Sequence, residues 1–202
     1  MYIGVYRVNL LLDKFNEYKS IVNFQVEYEF QNGDIIKFKL KQTDFPHLLG
    51  LHKLIDIPLI RQFNDKSNLS VSAKFVIGRI KKESVLTDSI VRASTYFPDI
   101  EERYEKFGKD NLLTLSYTDA IIDFDASLIG SSLKADYILF EQKKEGGYNH
   151  LCIAEDASAK KYAESFFYCP TDLYLQRQTI VKVKRVRIYD NKGNLHLEDV
   201  LL

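Results

Sequence analysis

The sequence predicts an α+β fold, with an N-terminal helix and β-hairpin, a helical middle, and a C-terminal twisted antiparallel sheet. Three observations lead to this prediction. Apolar residues recur at helical spacing over residues 5–19. Residues 24–40 alternate between apolar and polar side chains around Asn32-Gly33. Beyond residue 115 the chain consists of short apolar runs separated by turn residues.

The composition is typical of a single globular domain over residues 1–202, helix-rich to about residue 115 and a sheet beyond it. Formal net charge is zero, which disfavours a protein that coats nucleic acid but allows an enzyme that contacts one or two phosphates. No export signal or membrane-spanning run is recognisable, so we expect a cytoplasmic protein. Cys152 and Cys169 lie in apolar stretches and are predicted to be buried free thiols, the alternative being a disulfide in an oxidising compartment.

The alternating segment predicts a β-hairpin whose polar face is rich in Lys and Glu. A three-residue loop over residues 32–34, with Gly33 left-handed, keeps the apolar residues on one face. That register pairs apolar residues with each other and sets glutamates against lysines. The predicted pairs are Phe30 with Ile36, Tyr28 with Phe38, Val26 with Leu40, Glu29 with Lys37 and Glu27 with Lys39.

The middle of the chain predicts short helices. One covers about residues 45–54, capped by Thr43 or Asp44, with Pro46 in its first turn. One or two follow within residues 70–95, with Ser70 and Thr87 as caps. Another opens at Pro98-Asp99 and ends at Gly108, with capping-box spacing between Asp99 and Glu102 and a buried stripe of Ile100, Tyr104 and Phe107.

Six strands are predicted in the second half. They cover residues 120–124, 136–141, 150–155, 163–168, 179–189 and 195–201. In the fifth, Lys182 and Lys184 share one face, whereas Arg185 and Arg187 share the other. This change of phase predicts a β-bulge or a strong twist.

No nucleotide-binding loop or metal-binding motif is present, so we expect neither a cofactor nor a metal. The unusual segment is FPHLLGLHKL, residues 45–54, because it has the composition of a buried helix yet contains His47, His52 and Lys53. In the first helical turn, His47 would stay neutral and could act as a base, beside backbone N–H groups that suit a phosphate. The competing interpretation is a core histidine bonded to a carbonyl.

The same segment resembles the phage- and prophage-associated nuclease domains grouped with barnase, EndoU, colicin-type tRNases and RelE, the BECR family of the HLLGL-containing type. The series ADYILFE, HLCIA and AESFF at residues 135–141, 150–154 and 163–167, followed by YLQRQ at 174–178, is similar to that family's strands. The similarity covers most of residues 24–188 and is poor around 55–95. It implies helices before an antiparallel sheet and a metal-independent ribonuclease.

Such an enzyme uses the ribose 2′-OH to attack the adjacent phosphate, so its substrate is RNA. The resemblance implies His47 as acid/base, Ser165 as a hydroxyl donor on the concave side of the sheet, and Arg177 and Lys53 as stabilisers of the phosphorane. Tyr137 or Tyr174 would stack on bases. Each has an ordinary structural alternative: a hydrogen bond within the strand for Ser165, solvated charges for Lys53 and Arg177, and a core position for Tyr137.

The basic residues of the fifth predicted strand have two interpretations of equal weight. Lys182, Lys184, Arg185 and Arg187 would either bind the RNA backbone or protect a sheet edge from aggregation. The ribonuclease hypothesis includes a role as a toxin or phage-conflict effector, restrained by an antitoxin or immunity protein. The rival hypotheses are a catalytically inactive module that binds RNA or protein, and a phage-encoded inhibitor protein with an apolar interface.

Overall fold

The α-helices of the described residues are short and all lie within residues 10–106. The computed structural model describes residues 10–60, 73–82, 85–108, 115 and 117–202. In that part of the chain, helices are α1 Leu10–Lys19, α2 Phe45–Leu48, α3 Ala73–Lys81, α4 Asp88–Arg92 and α5 Glu101–Lys106. Single 3₁₀ turns cover Gln42–Asp44, Leu51–Lys53, Phe97–Asp99, Ala126–Ile129 and Leu173–Leu175. No helix of the described ranges combines the length and the apolarity that crossing a bilayer requires.

One sheet contains every strand of the described residues. The strands are β1 Gln25–Phe30, β2 Ile35–Lys39, β3 Asp119–Ile122, β4 Tyr137–Gln142, β5 Tyr148–Glu155, β6 Lys161–Cys169, β7 Ile180–Tyr189 and β8 Leu195–Val200. Their order is β1-β2-β6-β5-β4-β3-β7-β8, and β1 also pairs with β7. The sheet therefore closes into a barrel, to which β8 adds beyond β7.

The mixed α and β architecture agrees with the prediction, but the prediction of a separate C-terminal antiparallel sheet is incomplete. The N-terminal hairpin is part of the same sheet, because β1 pairs antiparallel with β7. Its other strand, β2, joins β6 in parallel through one residue pair, Phe38 and Lys161. Local alternation predicts each hairpin but not its long-range partners, which lie about 120–160 residues away in sequence.

The predicted hairpin register is wrong by two residues. Tyr28 pairs with Ile36 and Val26 with Phe38. The loop has three residues as expected, but it starts at Gln31, since the Phe30 amide donates to the Asp34 carbonyl at 2.9 Å. Gly33 is left-handed, with φ of 92°. A shift of two residues leaves every side chain on its face, so alternation cannot detect it.

Several helix predictions are also modified. The first helix is described from Leu10 onward, and residues 5–9 and Ser70 lie outside the described residues. The helix predicted over 45–54 is broken at Gly50, which is left-handed with φ of 83°. Thr87 caps α4 as predicted, accepting a hydrogen bond from the Ile90 amide. The predicted capping box of Asp99 is absent, because the N-cap of α5 is Ile100.

The predicted irregularity of the longest strand is confirmed as a β-bulge. Glu29 of β1 pairs with Arg185 of β7, but the next residue, Phe30, pairs with Val183. Lys184 is therefore the inserted residue. The bulge keeps Val183 and Val186 both buried although they are three residues apart.

Two apolar clusters occupy opposite faces of the sheet. The main core joins the helices to one face of the strands, as where Phe107 of the α5 C-terminus meets Phe166 of β6 with ring centroids 6.3 Å apart. The second cluster lies on the other face of β3–β5, under residues 126–135 and 174–175. Both cysteines are buried and free, as predicted.

Candidate functional site

His47 lies on α2 beside a carboxylate of β6. Its side chain is 41% exposed, and its Nε2 atom is 3.7 Å from Oε1 of Glu164. The other face of the imidazole stacks on His52, with ring centroids 4.1 Å apart and planes inclined by 13°. His47 is thus a solvent-accessible imidazole held between a carboxylate and a second imidazole, and not a core histidine.

Gly50 causes this arrangement of the two histidines. It ends α2 in the left-handed conformation, so the chain turns into the next 3₁₀ turn and brings His52 against His47. A Cβ atom at this position would lie 2.9 Å from Cγ2 of Ile100 and 3.2 Å from Cδ of Arg103. Glycine is therefore required both by the backbone conformation and by the close approach of α5. The helix of four residues is too short for the dipole effect expected at His47.

A second β-bulge, on β6, positions Glu164 and Ser165. Cys152 of β5 pairs with Ser165, whereas the next residue, Ile153, pairs with Ala163. Glu164 is the inserted residue. Because Ala163 and Phe166 both belong to the main core, Glu164 and Ser165 lie together on the opposite face. Ser165 therefore faces away from the barrel interior, and the prediction that it lies on the concave side of the sheet is wrong.

Three of the predicted site residues meet in a cavity of about 390 Å³ between α5 and β6. Lys53 enters from the 3₁₀ turn after Gly50, Ser165 from β6, and Tyr174 from the loop after β6. Arg103 of α5 lines the same cavity. The remaining walls are formed by Pro98, Asp99, Ile100, Glu102, Ser131, Ser132, Leu133, Phe167 and Tyr168.

Lys53 and Arg103 form no salt bridge among the described residues, although Asp99 and Glu102 also line the cavity. Burial lowers the pKa of Arg103, and the guanidinium group makes no salt bridge with any carboxylate of the described residues. Burial and the nearby Arg103 lower the pKa of Lys53, with Asp99 opposing. Burial, followed by the charges of His47, Arg103 and Lys53, lowers the pKa of His52 to about 3. Two partly desolvated cations beside a neutral imidazole form a site that favours an anion.

Glu164 remains ionised at neutral pH. The contact with His47 lowers the pKa of this carboxyl group, and burial opposes the shift. A carboxylate next to an exposed imidazole can orient the ring and stabilise the imidazolium that forms when the ring accepts a proton. The His47–Glu164 pair therefore has the composition of an acid/base pair.

Tyr174 presents an aromatic wall to the cavity. Its ring packs on Phe167 and on the buried His150, with centroids 4.6 Å and 5.6 Å apart. Burial raises the pKa of its phenol and lowers that of His150 to about 4. Tyr174 is half-buried and in contact with the cavity, which is a position suited to stacking on a base.

Arg177 and Tyr137 lie elsewhere. Arg177 is exposed, has a left-handed backbone with φ of 62°, and does not line the cavity. Tyr137 packs against the main core from β4, with Nζ of Lys161 5.4 Å from its ring centre. Both residues therefore lie outside the site cluster, by which we mean His47, His52, Lys53, Arg103, Glu164, Ser165 and Tyr174.

The basic residues of β7 are paired with carboxylates of neighbouring strands. Lys182 lies 2.6 Å from Asp119 of β3, and Lys184 lies 2.7 Å from Glu29 of β1. Arg185 lies 3.4 Å from Glu198 of β8, and Arg187 lies 2.6 Å from Glu27 of β1. The geometry favours a structural role on the sheet surface over contact with RNA.

Two residues of the cluster, Arg103 and Glu164, were not predicted. Glu164 lies in the AESFF series, where the spacing of three between apolar Ala163 and Phe166 signals a bulge. Arg103 lies beside Ile100 and Tyr104 of the predicted apolar stripe. Neither signal identifies the partner element. In the described part of the chain, no group of three or more His, Cys, Asp or Glu side chains is placed to hold a metal ion.

Comparison with known proteins gives one family. The family model described as phage-Barnase-EndoU-ColicinE5/D-RelE like nuclease4 matches residues 10–197. The match covers the helices, the barrel strands and all residues of the cluster. No curated protein and no solved structure matches the chain.

Proposed function

The chain belongs to the phage-Barnase-EndoU-ColicinE5/D-RelE like nuclease4 family, and we propose that it is a metal-independent endoribonuclease. The observation that supports this most directly is the His47–Glu164 pair, which lies close to Lys53 and Arg103 because His52 interacts electrostatically with all four. An acid/base pair next to cations that form no salt bridge among the described residues matches the needs of phosphodiester transesterification.

In the proposed reaction the ribose 2′-OH attacks the adjacent phosphorus. Its proton passes to the imidazole of His47, and Glu164 stabilises the imidazolium. The bond from phosphorus to the 5′-oxygen then breaks, which leaves a 2′,3′-cyclic phosphate and a 5′-hydroxyl. The leaving oxygen takes its proton from Lys53, because an ammonium whose pKa is lowered by burial is a better acid.

The phosphate binds in the cavity. Arg103 offers a planar fork of donors to the non-bridging oxygens, and its charge gains a partner when the phosphorane forms. Ser165, next to Glu164 on the bulge, donates its hydroxyl to the same group. Tyr174 stacks on the base of a neighbouring nucleotide. The substrate is RNA because the attacking group is the 2′-OH.

The test is incubation of the purified protein with total RNA in EDTA, alongside His47→Ala, Ser165→Ala and the control Lys182→Ala. We expect fragments with 2′,3′-cyclic phosphate ends from the wild type and the control. Loss of His47 should slow cleavage by roughly 100- to 10,000-fold, which is typical for a general acid or base. An oligodeoxynucleotide should stay intact.

Two results would contradict the proposal. If the folded wild type leaves RNA intact, the cluster is a binding site of an inactive family member. If His47→Ala cleaves as fast as the wild type, His47 has a structural role and the centre lies elsewhere. Circular dichroism of each variant separates loss of chemistry from loss of folding.

The association of the family with phage supports a role in conflict between phage and host. An unrestrained ribonuclease would damage the cell that makes it, so the role includes a neutralising protein partner. Induced expression should arrest bacterial growth with the wild-type chain and not with His47→Ala. Equal growth with both would exclude a toxic effector.

A further inference from the structure

A second basic site lies on the seam of the barrel where β2 meets β6. The cleft has a volume of about 350 Å³ and contains five lysines: Lys37, Lys39, Lys41, Lys160 and Lys161. They come from two distant parts of the chain, which the parallel pairing of Phe38 with Lys161 brings together. The chain as a whole has no net charge, so this concentration of lysines is local.

Two of the five lysines form salt bridges with described carboxylates, and three do not. Lys37 lies 2.7 Å from Glu27, and Lys161 lies 2.6 Å from Glu155. The ammonium groups of Lys39, Lys41 and Lys160 make no salt bridge with any described carboxylate, and all three side chains are exposed. The cleft therefore differs from β7, where the lysines are held by neighbouring carboxylates.

Asp156 lies close to Lys41 and Lys160, but the turn between β5 and β6 uses its carboxylate. Oδ1 of Asp156 accepts the amides of Ser158 at 2.8 Å and Lys160 at 3.0 Å. These hydrogen bonds are the main reason for the lowered pKa of this carboxyl group, and the two lysines contribute less. Asp156 thus fixes the turn that presents Lys160, and it balances only part of the charge.

Two chain segments lead from the cleft to the proposed catalytic centre. Because β2 and β6 run parallel at the seam, both chains leave the cleft in the same direction. The chain after β2 passes Lys41 and reaches His47 in α2, and β6 passes Lys161 and reaches Glu164. Three residues of β6 span roughly 10 Å, so one extended single strand can reach both places.

We propose that this cleft binds the phosphate backbone of single-stranded RNA on one side of the cleaved bond, with Lys39, Lys41 and Lys160 as the contacts. The proposal rests on the proposed ribonuclease function for the identity of the ligand. Flexible ammonium groups suit a backbone whose phosphates are read as point charges and not as a base sequence. The site would add affinity for long substrates without base specificity.

The test measures binding without cleavage. A fluorescent single-stranded oligodeoxynucleotide lacks the 2′-OH and stays intact, and its anisotropy is titrated with protein at several salt concentrations. The variant is Lys39→Ala/Lys41→Ala/Lys160→Ala. The matched control, Lys19→Ala/Lys144→Ala/Lys192→Ala, removes three exposed lysines outside the cleft.

We expect the salt dependence of binding, log K against log salt, to become shallower by about 2 in the cleft variant, at roughly 0.7 per lost contact. Affinity at low salt should fall about tenfold or more, and the control should bind like the wild type. Equal binding by the cleft variant and the control, or no binding by the wild type at low salt, would overturn the proposal. The second result would point to an acidic protein as the partner of the cleft.

The two proposals can fail separately. Selective loss of binding in the cleft variant, from a wild-type chain that does not cleave RNA, would retain the cleft and exclude the ribonuclease. Efficient RNA cleavage, together with equal oligonucleotide binding by the cleft variant and the control, would retain the ribonuclease and exclude the cleft.

Discussion

The cations of the cavity and those of β7 differ in what surrounds them. Lys182, Lys184 and Arg187 each lie within 2.6–2.7 Å of a carboxylate from an adjacent strand. Lys53 and Arg103 make no such contact with a described residue, and burial lowers the pKa of both. The cations of β7 are held in salt bridges, whereas Lys53 and Arg103 form none among the described residues, although Asp99 and Glu102 line the same cavity.

This difference shows that a cluster of basic residues in a sequence does not by itself identify a site. On the sheet, neighbouring strands supply the carboxylates, because Glu27 and Glu29 of β1 lie opposite Arg187 and Arg185 of β7. In the cavity, a helix and a turn bring Arg103 and Lys53 together, and the nearby carboxylates of Asp99 and Glu102 form no salt bridge with them. Partly buried cations that form no salt bridge at a concave surface indicate an anion site better than a run of basic residues does.

The comparison is tested most strongly by removing one arginine from each region. Arg103→Met should reduce RNA cleavage about 100-fold, as expected when one donor to the transition state is lost. Its free energy of unfolding should stay equal or rise, since a partly buried charge without a salt bridge is removed. Arg187→Met should leave cleavage unchanged and lower stability, because Glu27, only 4% exposed, loses a partner.

Both quantities are measured on the same preparations, by initial cleavage rates and by urea unfolding. The expected pattern is crossed, with activity lost in one variant and stability lost in the other. If Arg103→Met unfolds readily and keeps full activity per folded molecule, the cavity arginine is structural, and the distinction between the two regions fails.

Local features of the fold were predictable from the sequence. The phase change between Lys184 and Arg185 indicated the bulge of β7, and Thr87 was recognisable as a cap. Closure of the barrel was not, because the pairing of β1 with β7 depends on contacts across most of the chain. The hairpin register was missed since a shift of two residues keeps all faces unchanged.

The candidate site was predictable only in part. His47, Lys53, Ser165 and Tyr174 were predicted, and the last three line one cavity. The break at Gly50 was not predicted, and a continuous helix would have placed His47 and His52 differently. Arg103 and Glu164 enter the site through the packing of α5 and the bulge of β6. Such contacts between distant elements leave little trace in one sequence.

The role of Gly50 in assembling the cavity predicts an intermediate effect. Gly50→Ala should cost about 3 kcal/mol, because a left-handed alanine is strained and its Cβ atom would overlap Ile100. Gly193→Ala is the matched control, with φ of 85° against 83° at Gly50 and no atom of a described residue within 4 Å of the position that its Cβ atom would take. It should cost about 1 kcal/mol from strain alone. Urea unfolding gives both values, and equal costs would show that packing of α5 on Gly50 is unimportant.

The smallest effect concerns the pH dependence of the salt bridges of β7. Burial disfavours the ionised form of Glu27, but hydrogen bonds from Lys37 and Arg187 outweigh it and lower the pKa of the carboxyl group below its usual 4.5. A lowered pKa in the folded state means that Glu27 stabilises the fold above pH 4.5, and that this contribution is lost as pH falls through the folded value. The stability difference between wild type and Glu27→Gln should therefore be largest near pH 7 and shrink below about pH 4.5. The difference for Glu145→Gln, on an exposed turn, should stay near zero throughout. A difference for Glu27→Gln that does not change with pH would mean that shape, and not charge, is what Glu27 contributes to β1.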